Sequence, residues 1–247
     1  MSSLGWNVVA VIFAGGVGAR MNSKSLPKQF LSVHGKPIII HTLEKFEFSE
    51  KVDSIVISCV DGWQSYLEDL IDKYGIQKVR KIVPGGNTGQ LSIYNGLQAA
   101  DSLYDNKKTA VLIHDGVRPF ISERLINDNI DSVINHGSAI TCVNSKETVL
   151  MIGDEKDKIL SIPDRSVTKL ARAPQSFILE DILQAHKNAV REGKTDYIDS
   201  CSLMAAWGKE LFLVDGPTEN IKITTPEDFY MMRALLDAKE NEQIYGV

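Results

Sequence analysis

Asn7-Val8-Val9-Ala10-Val11-Ile12-Phe13-Ala14-Gly15-Gly16-Val17-Gly18-Ala19-Arg20-Met21 is the stretch that decides the fold. Residues 7–13 are apolar without the alternation of a half-exposed strand, so they read as a buried strand of a parallel sheet. Glycines follow at once. They let backbone N–H groups approach an anion closely, at a point where a helix N-terminus can add its positive end. The same glycines would also make an ordinary strand-to-helix turn, and the pair alone does not separate the two readings. Spacing excludes two familiar phosphate loops. There is no G-x-x-x-x-G-K-S/T, and Met21 stands where a dinucleotide fingerprint needs a small residue.

Outward from this stretch, strands and helices alternate. Pro37 suits a helix first turn, for a helix reaching about Phe48. Residues 54–59 read as a strand, 62–74 as a helix, 79–84 as a strand, 88–103 as a helix and 110–114 as a strand. Ser122 caps the next helix, and 139–143 is again strand-like. This rhythm predicts a mainly parallel sheet covered on both faces. It then breaks. Residues 147–152 and 158–162, joined by Gly153-Asp154-Glu155-Lys156-Asp157, read as a hairpin. Helices return at 179–191 and 200–207, and 210–214 is a last strand candidate. Thr225-Pro226-Glu227-Asp228 starts a helix with a capping threonine, proline at the first position and acids on the positive end. The expectation is one α/β domain over 1–247, Rossmann-like, with a β-arm inserted at about 144–172.

Composition narrows the class. With 43% hydrophobic residues in 247, a large core is available. No apolar run is long enough for a membrane span, and the N-terminus lacks the pattern of a signal peptide. Three scattered cysteines, Cys59, Cys142 and Cys201, give neither a disulfide framework nor a zinc site and suit a reducing, cytoplasmic setting. A net charge of −5 argues against nucleic acid as a partner, though not against a small anion held in a local basic pocket.

Several residues supply such a pocket. Arg20 ends the glycine loop. Lys28 lies in Leu26-Pro27-Lys28-Gln29-Phe30, beside a proline that stiffens the backbone. Each alone reads as a solvated surface cation; beside the loop, the pair suits a triphosphate and its pyrophosphate leaving group. His114-Asp115-Gly116-Val117-Arg118-Pro119-Phe120 follows an apolar run, at the strand end where ligands gather in open α/β sheets. Asp115 can hold a hydrated Mg2+ on phosphates, and Arg118 can grip an anionic substrate. The plainer reading is an Asp115–Arg118 pair closing a turn. His114 reads as structural. In Asn220-Ile221-Lys222-Ile223-Thr224, taken as a strand leading into the capped helix, Lys222 faces away from both isoleucines and can serve as a further phosphate cation.

A-G-G-x-G-x-R-M followed by L-P-K-Q-F-L resembles the opening of the bacterial polyol-phosphate and sugar-nucleotide cytidylyltransferases, and the resemblance extends over nearly the whole chain. It implies that Arg20, Lys28 and Lys222 stabilise the reacting phosphates with Mg2+. It also implies that Phe13, Ala14, Gly15, Gly16, Gly18, Gly86, Ser92 and Asp115 contact the nucleotide CTP. The second glycine pair, Gly85-Gly86, would read the cytosine with help from Ser92, although Gly89 stands where the family usually has an arginine. Arg118, Thr148 and Arg165 would bind the acceptor, a small polyol phosphate. In such enzymes the arm crosses a two-fold homodimer, so Arg165 would serve the partner's site. The family threonine before Pro-Gln is Ala173 here.

Three local matches favour D-ribitol 5-phosphate over 2-C-methyl-D-erythritol 4-phosphate as acceptor: His-Asp-Gly-Val-Arg-Pro-Phe at 114–120, Ile-Pro-Asp-Arg at 162–165 and Asp-Ser-Cys at 199–201. The products would be CDP-ribitol and pyrophosphate, serving teichoic acid or capsule synthesis. A nucleotide-binding regulatory protein with a dead site is the non-enzyme alternative; the retained Arg20, Lys28, Asp115 and Lys222 argue against it.

Overall fold

The opening apolar run forms the middle of the sheet. In the computed structural model residues 5–16, 26–153 and 157–245 are described. The chain begins with β1 (Asn7–Ala14), a 3-10 turn at Lys28–Phe30, and the small strands β2 (Ser32–Val33) and β3 (Lys36–Pro37). Next come α1 (Ile38–Glu47), β4 (Ser54–Cys59), α2 (Gln64–Tyr74), β5 (Val79–Pro84), α3 (Gly89–Asp101) and β6 (Thr109–Asp115). The second half runs α4 (Glu123–His136), β7 (Ser138–Asn144), β8 (Met151–Ile152), β9 (Ile159–Ser161) and β10 (Lys169–Ile178). It ends with α5 (Leu179–Arg191), α6 (Ser200–Ala206), β11 (Leu213–Asp215) and α7 (Pro226–Tyr245).

The seven-stranded sheet has the order β11-β7-β10-β6-β1-β4-β5. β1 pairs in parallel with β4 on one side and β6 on the other. The chain therefore winds outward from β1 in one direction, then restarts beside it at β6. That reversal opens a crevice at the carboxyl ends of β1 and β6, with Phe13 opposite Asp115. Alternation along β1 serves two cores. Val8, Ala10 and Ile12 pack with α1, α2 and α4, for example against Leu43, Leu67 and Ile126. Val9 and Val11 pack with α3, α5 and α6, for example against Leu97, Ile182 and Leu203. Burial on both faces explains why the strand carries no polar alternation.

Three expectations need correction. The sequence pattern does not reveal β10 as a strand, yet it is the longest in the sheet, running antiparallel to both β6 and β7. Its sequence carries Arg172 and Pro174 and little apolar pattern. The register against β7 breaks between Ala171 and Gln175, and a bulge is where a proline without an N–H is tolerated. The arm consequently leaves the sheet after Asn144 and rejoins it at Lys169, which pair with each other. Within it the hairpin is shorter than 147–152 and 158–162, only β8 against β9. Residues 154–156 of its turn lie outside the described residues. Finally, 220–224 is no strand. Ile221 and Ile223 still face the apolar cluster around Val33, Ile38 and Phe120, and the Ile223 N–H donates to the Val117 carbonyl at 2.9 Å.

The start of α7 follows the expected pattern. The Thr224 and Thr225 N–H groups donate to Asp228 Oδ2 at 2.7 and 2.8 Å, a carboxylate closing the helix start as in a capping box. Among the described residues no helix is long and apolar enough to cross a membrane.

Candidate active site

The two glycine loops meet face to face. A Cβ on Gly15 would lie 2.6 Å from Ser92 Oγ, and one on Gly85 would lie 3.1 Å from the Gly15 Cα, so side chains at these positions would force the loops apart. Ser92 holds the junction: its hydroxyl accepts from the Gly86 N–H at 3.0 Å and donates to the Thr88 carbonyl at 2.9 Å. The residue is 2% exposed, and its hydroxyl shapes the loop from behind. Gly16 differs, with nothing within 4 Å of a Cβ built there, which leaves its backbone open to a ligand. Gly89 is open in the same way. Val17 to Ser25, and with them Gly18 and Arg20, lie outside the described residues.

Lys28 is brought to this loop by its neighbour. Gln29 is buried, and its Nε2 donates to the Ala14 carbonyl at 2.7 Å, tying the 26–31 segment to the end of β1. Within Leu26-Pro27-Lys28-Gln29-Phe30 the sequence alone points to no task for Gln29. Its place next to the candidate cation Lys28 is the available signal.

At the end of β6, Asp115 accepts from Arg118 Nε on Oδ2 at 3.1 Å and from Lys222 Nζ on Oδ1 at 2.6 Å. Burial on its own would push this carboxyl up; the Arg118 and Lys222 charges outweigh it and hold the carboxyl down at about 2. Arg118 is buried and also donates from Nη1 to the Asn220 carbonyl at 2.7 Å. The turn-closing reading of Asp115 and Arg118 is thus realised, and it does not remove Arg118 from the site, because Arg118 still lines the cavity. Lys222, with a side chain 40% exposed, remains accessible. Its ammonium also lies 5.6 Å from the Phe13 ring centre. His114 is fully buried and neutral, since burial lowers it to about 4, and its Nε2–H donates to the Arg118 carbonyl at 3.0 Å. It braces the turn.

Asn220 is the hub that sequence reading overlooked. Its Nδ2 donates to the Ala173 carbonyl at 2.6 Å, and its own carbonyl receives Arg118 and, at 3.4 Å, Arg172. It fastens the Lys222 segment to β10. Arg172 was missed too, because it lies on the strand that the pattern did not reveal.

These groups surround a cavity of about 210 Å3, lined by Phe13, Asp115, Arg118, Arg172 and Lys222 on one side and by α3, α5 and α6 on the other. Thr148 and Arg165 do not line it. Both are exposed on the arm, and Arg165 Nη1 donates to the Lys146 carbonyl at 3.3 Å. The arm is also greasy: Leu150, Met151, Ile152, Ile159, Leu160 and Ile162 are all exposed.

Residues 8–238 match the family described as 2-C-methyl-D-erythritol 4-phosphate cytidylyltransferase (IspD). A ribitol-5-phosphate cytidylyltransferase of Streptococcus agalactiae serotype V is 54% identical over 239 residues, covering 97% of this chain and 99% of that one. A 2-C-methyl-D-erythritol 4-phosphate cytidylyltransferase of Clostridium botulinum is 40% identical, covering 92% and 96%. The crystal structure of 4-diphosphocytidyl-2C-methyl-D-erythritol synthase from Anaerococcus prevotii superposes with a TM-score of 0.81 at 28% identity, covering 94% of this chain and 97% of that one. The family match spans nearly the whole chain, residues 8–238, and the chain belongs to the IspD family of cytidylyltransferases.

Proposed function

We propose that this enzyme transfers CMP from CTP to D-ribitol 5-phosphate, giving CDP-ribitol and pyrophosphate. The observation that carries the acceptor is the gap in similarity: 54% identity to a relative named for ribitol 5-phosphate against 40% to one named for the methylerythritol acceptor. The site suits the reaction. An oxygen of the acceptor phosphate attacks the α-phosphorus of CTP, the bond from that phosphorus to the bridging oxygen of the β-phosphate breaks, and pyrophosphate leaves with the electron pair. A phosphate monoester is a competent nucleophile near neutral pH, so the protein has mainly to position and to neutralise.

In this reading the open backbone of Gly16 and the Gly85-Gly86 loop cradle the nucleotide, with Ser92 fixing the second loop. Lys28, Arg20 and Lys222 neutralise the triphosphate. Arg118 and Arg172 lie on the acceptor side of the cavity. A divalent cation, Mg2+ by expectation, fits this donor set in one way. Asp115 is a single carboxylate whose oxygens already meet two cations, so it would share the ion with the triphosphate oxygens. Bound there, Mg2+ would supply charge neutralisation on the phosphates.

The arm belongs to a homodimer in this proposal. Its exposed apolar residues and unpaired strand edges are of the kind that a two-fold partner covers. Arg165 and Thr148, away from the cavity of their own subunit, then complete the acceptor pocket of the other.

Pyrophosphate release measured with CTP and either D-ribitol 5-phosphate or 2-C-methyl-D-erythritol 4-phosphate tests the acceptor. Ribitol 5-phosphate should lead; a lead for the methylerythritol substrate overturns it. CTP should exceed UTP by at least about tenfold, or about 1.4 kcal/mol of transition-state binding.

A further inference from the structure

The cavity has two chemically different ends. Near β6 it carries the charges of Asp115, Arg118, Arg172 and Lys222. Along α5 and α6 it carries none that is free, and most of the polar side chains there are already engaged. Gln90 donates to the Lys194 carbonyl and accepts from the Tyr197 N–H, each at 2.9 Å. Gln175 donates to Asp199 Oδ2 at 3.0 Å and accepts from the Cys201 N–H at 2.7 Å. Asp199 Oδ1 caps α6 by accepting from the Ser202 N–H at 2.8 Å.

Two cavity-lining residues differ. His186 is 1% exposed, and neither Nδ1 nor Nε2 has a hydrogen-bond partner among the described residues; Ser200, 3% exposed, has an Oγ without one there too. Buried polar atoms are paired as a rule, and an exception inside a ligand cavity points to a ligand that pairs them. The His186 ring is held rather than loose, stacked on Tyr94 with centres 5.7 Å apart and planes 4° from parallel. It is neutral, because burial lowers it to about 4.

A neutral imidazole offers one donor and one acceptor, and a serine hydroxyl offers both. That set complements hydroxyl groups, which also give and accept one proton each. It does not suit a phosphate, which would settle at the cationic end. Gly15, Gly16 and Gly86 do not line this cavity, and the groups shared with the nucleotide, Phe13, Asp115 and Lys222, stand at its charged end, so the wall along α5 and α6, whose one carboxylate Asp199 is already bonded, faces the second substrate. An acceptor whose phosphate sits among the cations extends its carbon chain toward α5 and α6.

We propose that His186 and Ser200 determine acceptor specificity by hydrogen-bonding hydroxyls of the polyol chain remote from its phosphate. This rests on the reading of the enzyme as a polyol-phosphate cytidylyltransferase. The role is one of positioning and selection and involves no proton transfer to the reacting atoms.

The test compares wild type with His186→Leu, His186→Gln and Ser200→Ala, measuring kcat, the KM for each substrate and the melting temperature. With D-ribitol 5-phosphate, His186→Leu should raise the acceptor KM about tenfold or more while the CTP KM stays within about twofold. That is a loss of about 1.4 kcal/mol confined to one substrate. Its melting temperature should hold or rise, since leucine removes two unpartnered nitrogens, whereas a merely structural histidine would lower it. His186→Gln, which restores a donor and an acceptor, should recover part of the KM. Ser200→Ala should show the same split at smaller size. A deoxy analogue lacking a distal hydroxyl should separate wild type from His186→Leu less than ribitol 5-phosphate does.

Equal shifts in both KM values, or none, would overturn the proposal; so would unchanged discrimination against the deoxy acceptor. Should wild type prefer 2-C-methyl-D-erythritol 4-phosphate, the ribitol reading fails, and the same acceptor-only KM shift is then read with that substrate. Should His186→Leu not fold, the split in His186→Gln and Ser200→Ala decides.

Discussion

Arg118 and Arg165 carry the same charge in opposite settings. Arg118 is buried at the end of β6, with Nε on Asp115 and Nη1 on the Asn220 carbonyl. Arg165 is exposed on the arm and touches a single backbone carbonyl at 3.3 Å. The difference teaches how a cation is readied for an anionic ligand. Arg118 is preorganised by its own subunit and costs the fold if removed. Arg165 contributes little to the chain that carries it, and the proposed two-fold partner would give it an anionic ligand to meet.

Stability should separate them most. Arg118→Ala leaves Asp115 buried with one cation instead of two and should cost about 3 kcal/mol, read as a loss of melting temperature. Arg165→Ala should change stability by less than about 0.5 kcal/mol. Equal effects would erase the distinction. Next in size is turnover. Lys28→Ala should lower kcat about a hundredfold or more with the melting temperature kept, about 2.7 kcal/mol of transition-state stabilisation, and Lys222→Ala should lower kcat as much while also losing stability, since it too leaves Asp115 one cation. Near-normal turnover would reduce either lysine to a surface cation.

Acid sharpens the contrast between the buried network and the arm. His114 and His186 are both held near 4, below the ordinary 6.5. Their neutral forms contribute stability that is fully present above about pH 6.5 and is lost as pH falls toward 4. Each adds up to one proton to the slope, about 1.4 kcal/mol per pH unit. His186→Leu should remove one share in urea melts at pH 4.5 and 6.5. Asp115, held near 2, begins to give way only below its ordinary 3.8. An unchanged slope in His186→Leu would mean that the ring is not buried in solution.

The smallest signal concerns the arm. Mixing Arg165→Ala chains with Lys28→Ala chains should restore about a quarter of wild-type activity on random pairing, because half of the dimers are mixed and one site in each is then intact. Proven subunit exchange without recovery, or an active monomer on sizing, would leave Arg165 an intrachain or surface role.

Much of this was legible in the residues. Wherever an element is set by local physics, the sequence carries it: β1 by continuous apolarity, α4 by the Ser122 cap, α7 by Thr225, Pro226 and Asp228. The glycine loop and the residues Asp115, Arg118 and Lys222 could be found as well, since each stands just after or beside such an element. Roles were less legible than positions. Ser92 reads as a helper of the nucleotide loop, but that it does so by bonding Gly86 and Thr88 behind the loop can be seen only when both loops are in place.

The sequence by itself determined the doubly covered sheet, the succession of strands and helices along its first half and the cations available for phosphate. Only the tertiary structure decided the rest. β10 is a strand because β6 and β7 leave a slot that its backbone fills, and its own side chains, interrupted by Arg172 and Pro174, announce no period. Asn220 became a hub because it meets Arg118, Arg172 and Ala173 across the fold. His186 sits in the second half of the amphipathic helix α5, five residues before its end, where its spacing fits a core position as well as a site. What distinguishes it is that its nitrogens lack partners, and a missing partner is a property of packing in three dimensions.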